Sequence, residues 1–427
     1  MKGLRIRPVK RISGEIRVPP DKSISHRAVI ISSTASGTSR IKNFLKSDDT
    51  LSTLKAVSSL GAGVKKSGFD LLITGHPYKT PGKEIYCGNS GTTMRLLAGL
   101  IAGLPVSATL TGDRSLSRRP MKRITAPLEK MGAKIISRSG FPPLVIKGKT
   151  LKAISYRMPI ASAQVKTSIL LAGLNAAGTT KIFEKIKSRD HTERMLPLFG
   201  VKVTKKSGRV ELKGGQKPKS AEVKIPGDIS SASFFITAAA ILKSNLKIKE
   251  VGINPTRTGF LKAIRKMGLR YKITNRKFFG LEPVADIIVA ESSLRAAEFT
   301  EKDVPAMIDE IPLLALCATQ AEGKTVITGA GELKVKECDR LEATYSQLKK
   351  MGAKIKKLED GFEISGPVKL SGAGVRSFGD HRITMMLSLA GLIARGSTLI
   401  DDADSISVSF PGFLKTLEGV RSCNATK

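Results

Sequence analysis

The stretches LEKMGAKI (128–135) and LKKMGAKI (348–355) lie in opposite halves of the chain and differ at one position. In each, an amphipathic segment closes on a glycine and a strand-like alternation follows. A glycine just past a helix supplies the left-handed backbone that stops it, so the octet reads as helix end, turn and strand. SSLGAGV (58–64), PLFGVKV (197–203), IRKMGLRY (264–271) and KTLEGV (415–420) repeat the pattern. The six glycines, Gly61, Gly132, Gly200, Gly268, Gly352 and Gly419, are 71, 68, 68, 84 and 67 residues apart. That near-constant period implies six repeats, each with a glycine-stopped surface helix.

A second series interleaves with the first: SISHRAVIISSTASGT (23–38), GNSGTTMRLLAGLIAG (88–103), SAQVKTSILLAGLNAAGT (162–179), DISSASFFITAAAILKS (228–244), DEIPLLALCATQAEGKT (309–325) and DHRITMMLSLAGLIARGST (380–398). These are apolar nearly all round and rich in Ala and Gly, which marks buried helices. Between the series lie hairpin signals with Ser-Gly turns, as in VKKSGFDLLI (64–73) and VTKKSGRVEL (203–212). The unit is therefore strand, buried helix, strand, surface helix, hairpin. Six units exceed one core, and three apiece make two domains. The break falls near VKIPGDISS (223–231), where Pro226 and Gly227 interrupt both patterns. The strand before Pro19-Pro20 is assigned to the later half, giving residues 20–227 as one domain and 1–19 with 228–427 as a discontinuous second.

Composition excludes several classes of function. No run of 18 uncharged apolar residues occurs, so no membrane span is expected, and MKGLRIRPVK (1–10) lacks the apolar block of a signal peptide. Cys87, Cys317, Cys338 and Cys423 show no C-x-x-C spacing, so neither a metal site nor a disulfide framework is expected and a reducing cytoplasm fits. Lys plus Arg number 72 against 36 Asp plus Glu. These charges are dispersed, Trp is absent, and nothing interleaves basic with aromatic residues as a nucleic-acid stacking platform does.

Most of the excess is read as solvated surface, and a smaller part lies at the starts of the buried helices. Helix N-termini present unpaired amides and the positive end of the dipole, a natural anion site. Ser23, Asn89, Ser162, Asp228, Asp309 and Asp380 suit the capping role there. Capping does not require the neighbouring Lys22, Arg27 and Arg382, nor Arg118-Arg119 in GDRSLSRRP (112–120), nor Lys336 and Arg340 in KVKECDRL (334–341). Gly88 and Gly91 around Asn89 allow close backbone approach to a ligand. Asp309 and Glu337, among cations, stay ionised and exchange protons with a bound substrate. No Walker loop or dinucleotide fingerprint accompanies them. The residues alone thus suggest a cofactor-free enzyme moving a group between polyanionic small molecules.

DKSISHRA (21–28), GNSGTTMRLLAGL (88–100), SAQVKTSILLAGL (162–174), PGDISSASFFITAAA (226–240), VKECDRLEA (335–343) and FGDHRITMM (378–386), in this order, resemble the 5-enolpyruvylshikimate-3-phosphate synthases. The resemblance implies an α/β fold of two similar domains, each of three βαβαββ units in an inverse α/β barrel. It implies a cytoplasmic, usually monomeric enzyme of the shikimate pathway that needs neither metal nor cofactor. Such enzymes transfer the enolpyruvyl group of phosphoenolpyruvate to the 5-hydroxyl of shikimate 3-phosphate, and glyphosate competes with phosphoenolpyruvate.

Carried over by position, Lys22 touches both substrates. Ser23, Arg27, Ser162, Ser188, Lys336 and Asp309 face shikimate 3-phosphate, and Gln164 lies between the two. Asn89, Gly91, Arg119, Arg340, His381 and Arg382 face phosphoenolpyruvate. Asp309 is the implied base for the 5-hydroxyl, and Glu337 the implied acid and base at C3 of the enolpyruvyl group. The sequence departs from the pattern at Pro20 (usually glycine), Ala163 (serine), His191 (tyrosine), Leu96 (proline) and Val408, where some members place a lysine that helps the leaving phosphate. Lys22 or Arg119 is left with that duty. The related UDP-N-acetylglucosamine enolpyruvyl transferases use a loop cysteine, absent from TGDRSLSRRP (111–120), for which Cys87 is a poor substitute.

Overall fold

The computed structural model describes residues 3–68 and 70–421, so Cys423 lies outside the described residues. Among these residues twelve α-helices alternate with short strands: α1 (Lys22–Thr34), α2 (Asp48–Ser59), α3 (Gly91–Ala102), α4 (Lys122–Lys130), α5 (Ala163–Gly173), α6 (His191–Met195), α7 (Ile229–Ile241), α8 (Gly259–Lys266), α9 (Ile311–Ala318), α10 (Arg340–Lys350), α11 (His381–Ile393) and α12 (Phe413–Val420). The odd-numbered helices are the apolar series. Every residue of α7 and all but the last of α11 are buried. Small residues let these helices approach closely: a Cβ on Gly99 of α3 would stand 2.1 Å from the Ser168 carbonyl of α5.

The chain divides into two compact units. The N-terminal unit comprises Pro20–Pro226 with the hairpin tip Phe278–Glu282. The C-terminal unit takes the chain up to Pro19, Gly227–Lys277, and everything from Pro283 onward. Each has its own apolar core, around Ile30, Leu97 and Leu170 in one and around Phe235, Leu314 and Leu389 in the other.

Each complete repeat folds into a four-stranded sheet. Ser155–Met158 runs parallel to Thr179–Glu184 with α5 as the crossover, and the hairpin Val203–Lys206/Arg209–Lys213 adds antiparallel. Two strands depart from repeat order. Glu15–Arg17 precedes α1 but pairs with Leu246–Gly252, whereas Glu222–Lys224 precedes α7 but pairs with Gly37–Lys42. Both exchanges coincide with the points where the chain passes from one unit to the other. The sixth repeat has no hairpin among the described residues; Leu4–Ile6 closes its sheet antiparallel to Thr398–Ile400.

Five of the six marker glycines stop a helix with φ between 74° and 111°. Gly419 does not. It lies inside α12, which continues to Val420, and its φ is not positive. The tight ring cluster of Phe234, Phe235, Phe410 and Phe413, with centroids 5.5–5.9 Å apart, fixes α12 against α7 instead. Among the described residues no helix is long and apolar enough to cross a membrane, and no group of three His, Cys, Asp or Glu side chains is arranged to hold a metal ion.

Candidate active site

Three of the expected caps are corrected. Asp21, not Ser23, caps α1, accepting from the Ile24 amide at 2.8 Å, and Ser90, not Asn89, caps α3. Asp309 sits in a 3-10 turn one residue ahead of Glu310, the N-cap position of α9, which makes no side-chain cap bond. Ser162, Asp228 and Asp380 cap as expected. The reason is register: each helix starts one or two residues from where the sequence placed it, and the displaced side chains turn to other partners.

In the N-terminal unit the start of α5 is tied directly to those of α1 and α3. Buried Arg27 donates to the Thr192 hydroxyl at 2.9 Å, the Ser23 carbonyl at 2.9 Å and the Thr167 hydroxyl of α5 at 3.0 Å. Gln164 donates to the Thr92 hydroxyl of α3 at 3.0 Å and accepts from Arg95 at 2.7 Å. Asn89 donates to Asp113 at 2.7 Å and accepts from Arg119. Arg118 and Arg119, adjacent in sequence, separate: Arg118 is exposed and Arg119 buried. A Cβ on Gly91 would lie 3.1 Å from Nη1 of Arg95 and 3.4 Å from Nη1 of Arg119, so two guanidinium groups converge over that backbone.

Lys22 Nζ is 2.9 Å from the Asp49 carboxylate at the start of α2. Ser188 donates from amide and hydroxyl to Glu184, whose other oxygen pairs at 2.8 Å with Lys166. Lys166 has no exposed surface and also pairs at 2.7 Å with Glu193. His191 is buried, its Nδ1 2.8 Å from Glu282. Cys87 is sealed in the core, and burial pushes its thiol up to about 12, which leaves no thiolate for nucleophilic work.

In the C-terminal unit the starts of α7, α9 and α11 meet in the same way. Arg257 donates to Asp228 at 3.2 Å and to Ser230 at 2.9 Å, Ser230 donates to Glu310, and Glu310 is 3.7 Å from Arg382 of α11. The Asp309 carboxylate is ringed by Arg340 at 3.3 Å, Lys336 at 3.5 Å and Arg382 at 3.9 Å. Arg382 also donates to the Asp309 carbonyl at 3.2 Å.

Arg340 is the hub. Its Nε donates to Asp380 at 2.7 Å and its Nη2 to Glu337 at 2.5 Å. Burial works against its charge, but Asp380, Glu337 and Asp309 together hold its pKa above the ordinary value. Losing it would strand the fully buried Asp380 carboxylate, a change that costs about 3–5 kcal/mol for a buried pair. Cys338, between Glu337 and Asp339, places Sγ 3.7 Å from Asp380; burial and then that carboxylate raise its thiol pKa. His381 is the first residue of α11, next to Arg382. Val408 ends the turn Asp404–Val408, which Ser405 joins to Thr384 of α11 at 2.8 Å.

Asp49, Arg95, Lys166 and Arg257 were missed from sequence. Arg95 and Lys166 had a readable signal, a single charge inside an otherwise apolar helix; Asp49 and Arg257, in polar stretches, had none.

The sequence profile of EPSP synthase (3-phosphoshikimate 1-carboxyvinyltransferase) matches residues 6–417. The 3-phosphoshikimate 1-carboxyvinyltransferase of Thermodesulfovibrio yellowstonii is 50% identical over 422 residues, covering 97% of this chain and 98% of that protein. That of Bacillus subtilis is 47% identical over 416 residues, covering 96% and 97%. The structure of EPSP synthase from Acinetobacter baumannii superposes with a TM-score of 0.87 at 41% identity, covering 99% of this chain and 98% of that one. The chain belongs to the EPSP synthase family.

Proposed function

We propose that this enzyme transfers the enolpyruvyl group of phosphoenolpyruvate to the 5-hydroxyl of shikimate 3-phosphate, releasing phosphate. The observation that carries the reading is the Asp309 carboxylate held among Lys336, Arg340 and Arg382 at 3.3–3.9 Å, with Glu337 on the same arginine. That is the equipment for proton exchange beside a bound polyanion. The names carried by the relatives support it.

In this reading Ser23, Arg27, Ser162, Ser188 and Lys336 hold shikimate 3-phosphate, with Gln164 between the substrates. Asn89, Gly91, Arg119, Arg340, His381 and Arg382 hold phosphoenolpyruvate, and Lys22 neutralises charge on both. Asp309 takes the proton of the 5-hydroxyl as its oxygen bonds to C2 of phosphoenolpyruvate, and Glu337, having entered the step as the neutral acid, delivers its proton to C3 and is left as the carboxylate. In the second step Glu337 takes a proton back from C3, the C2–O bond to phosphate breaks, and the enol ether remains. Lys22 and Arg119 stabilise the departing phosphate, since Val408 offers no charge. The active species is a cytoplasmic monomer acting on these two small molecules, without nucleic acid.

Phosphate release from the two substrates, with UDP-N-acetylglucosamine as rival acceptor, tests the reaction. Turnover with the rival alone would overturn it. Asp309→Ala should lower kcat by about a hundredfold or more, the usual worth of a positioned general base, while shikimate 3-phosphate affinity measured by calorimetry changes little. Lost affinity with kcat preserved would make Asp309 a binding residue only.

A further inference from the structure

His26, in the middle of the first motif, has no part in the chemistry above, yet its surroundings are costly. The imidazole has no exposed surface, and Nε2 is buried without a hydrogen-bond partner. Leaving such a group unsatisfied costs about 1–3 kcal/mol, which an apolar residue of similar size would avoid. The other nitrogen offsets that cost. Nδ1 lies 2.6 Å from the Thr53 hydroxyl, Thr53 lies 2.6 Å from the Thr93 hydroxyl, and Thr93 donates to Ser90 at 2.8 Å. Thr53, Thr93 and Ser90 are all buried, so the chain of four side chains runs dry from α1 through α2 to the cap of α3.

The spacing gives this chain its purpose. His26 is one helical turn beyond Lys22, and Thr53 one turn beyond Asp49. Lys22–Asp49 and His26–Thr53 are therefore successive rungs between α1 and α2. Thr93 extends the second rung to Ser90, which precedes Gly91 and the converging guanidinium groups of Arg95 and Arg119. Arg27 is held by a separate set, Thr167, Thr192 and the Ser23 carbonyl.

We propose that His26 is a positioning residue: through Thr53 and Thr93 it fixes the starts of α1 and α3 in one register, so that Lys22 and the Gly91–Arg119 corner address the same anion. This rests on the reading that those residues hold phosphoenolpyruvate. An imidazole that only filled space would bear on both substrates alike, whereas this chain bears on phosphoenolpyruvate.

The test is steady-state kinetics with each substrate varied. His26→Leu and Thr53→Val, the latter nearly isosteric, should raise KM for phosphoenolpyruvate about tenfold, the worth of one broken buried hydrogen bond. KM for shikimate 3-phosphate should rise far less, by about twofold at most, because of its ligands only Lys22 leans on this chain while Arg27 keeps its own partners. His26→Asn, with a side-chain amide near the position of Nδ1, and Thr53→Ser should restore most of the difference. Equal shifts in both KM values, or unchanged KM values with a lowered melting temperature, in Thr53→Val would overturn the proposal. Wild-type enzyme without turnover on this pair would instead overturn the functional reading, and the inference with it.

Discussion

At Gly91 a single methyl group is enough to test the pocket. It would meet the ends of Arg95 and Arg119 at 3.1 and 3.4 Å, and flexible guanidinium groups move aside by a few tenths of an ångström while the helix stays intact. Gly91→Ala should therefore keep its melting temperature, raise KM for phosphoenolpyruvate and weaken inhibition by glyphosate; dose–response curves against the parent enzyme check it. Fully buried Leu96 sits inside α3, which runs uninterrupted as a support for that backbone. His26 gives a second test at this scale. Burial first, then Lys22 and Arg27, hold its pKa well below 6.5. The unfolded chain takes up a proton below that pH and the folded one does not, so this contribution is complete above 6.5 and lost as pH falls below it. One such group gives a slope of up to about 1.4 kcal/mol per pH unit. In denaturant titrations at pH 7 and 5.5, His26→Asn should lose less stability on acidification than wild type, and equal losses would show a protonated native imidazole.

The helix is the scale at which the repeats were legible and at which one of them was misread. Gly352 and Gly419 carry the same sequence mark, but Gly352 has φ of 90° and Gly419 sits in helical backbone with open space around a would-be Cβ. Alanine should act oppositely at the two. Gly352→Ala should destabilise by about 1 kcal/mol or more, because L side chains strain a left-handed backbone, and Gly419→Ala should stabilise by about 0.5–1 kcal/mol through helix propensity. Thermal melts of the pair check it. The helix starts show the same limit: sequence located the six polar helix starts, while Asp21 and Ser90 took the capping bonds from Ser23 and Asn89 by one or two residues of register. Sequence pattern locates a helix end to within a turn, and capping depends on one residue.

For the whole molecule, two separate cores imply two cooperative units. Scanning calorimetry should give a calorimetric enthalpy above the van't Hoff value. Shikimate 3-phosphate at a hundred times its Kd should stabilise its binding unit by about 2.7 kcal/mol, first visible in the N-terminal unit, where Ser23, Arg27, Ser162 and Ser188 lie. A single two-state transition would show that the units unfold as one.

The sequence by itself determined the six-fold repeat, the buried and surface helices, and the chemical character of the site, because each rests on local rules: periodicity, glycine stops, and charge at helix starts. Only the tertiary structure decided which strand closes which sheet, as with Glu15–Arg17 and Leu4–Ile6, and which partners each charge finds. Asp49 beside Lys22, Asp309 and Asp380 on Arg340, and the Lys166 pairs join residues far apart in the chain. Those choices are made by packing distance and by the cost of leaving a buried charge unpaired, neither of which a linear pattern records.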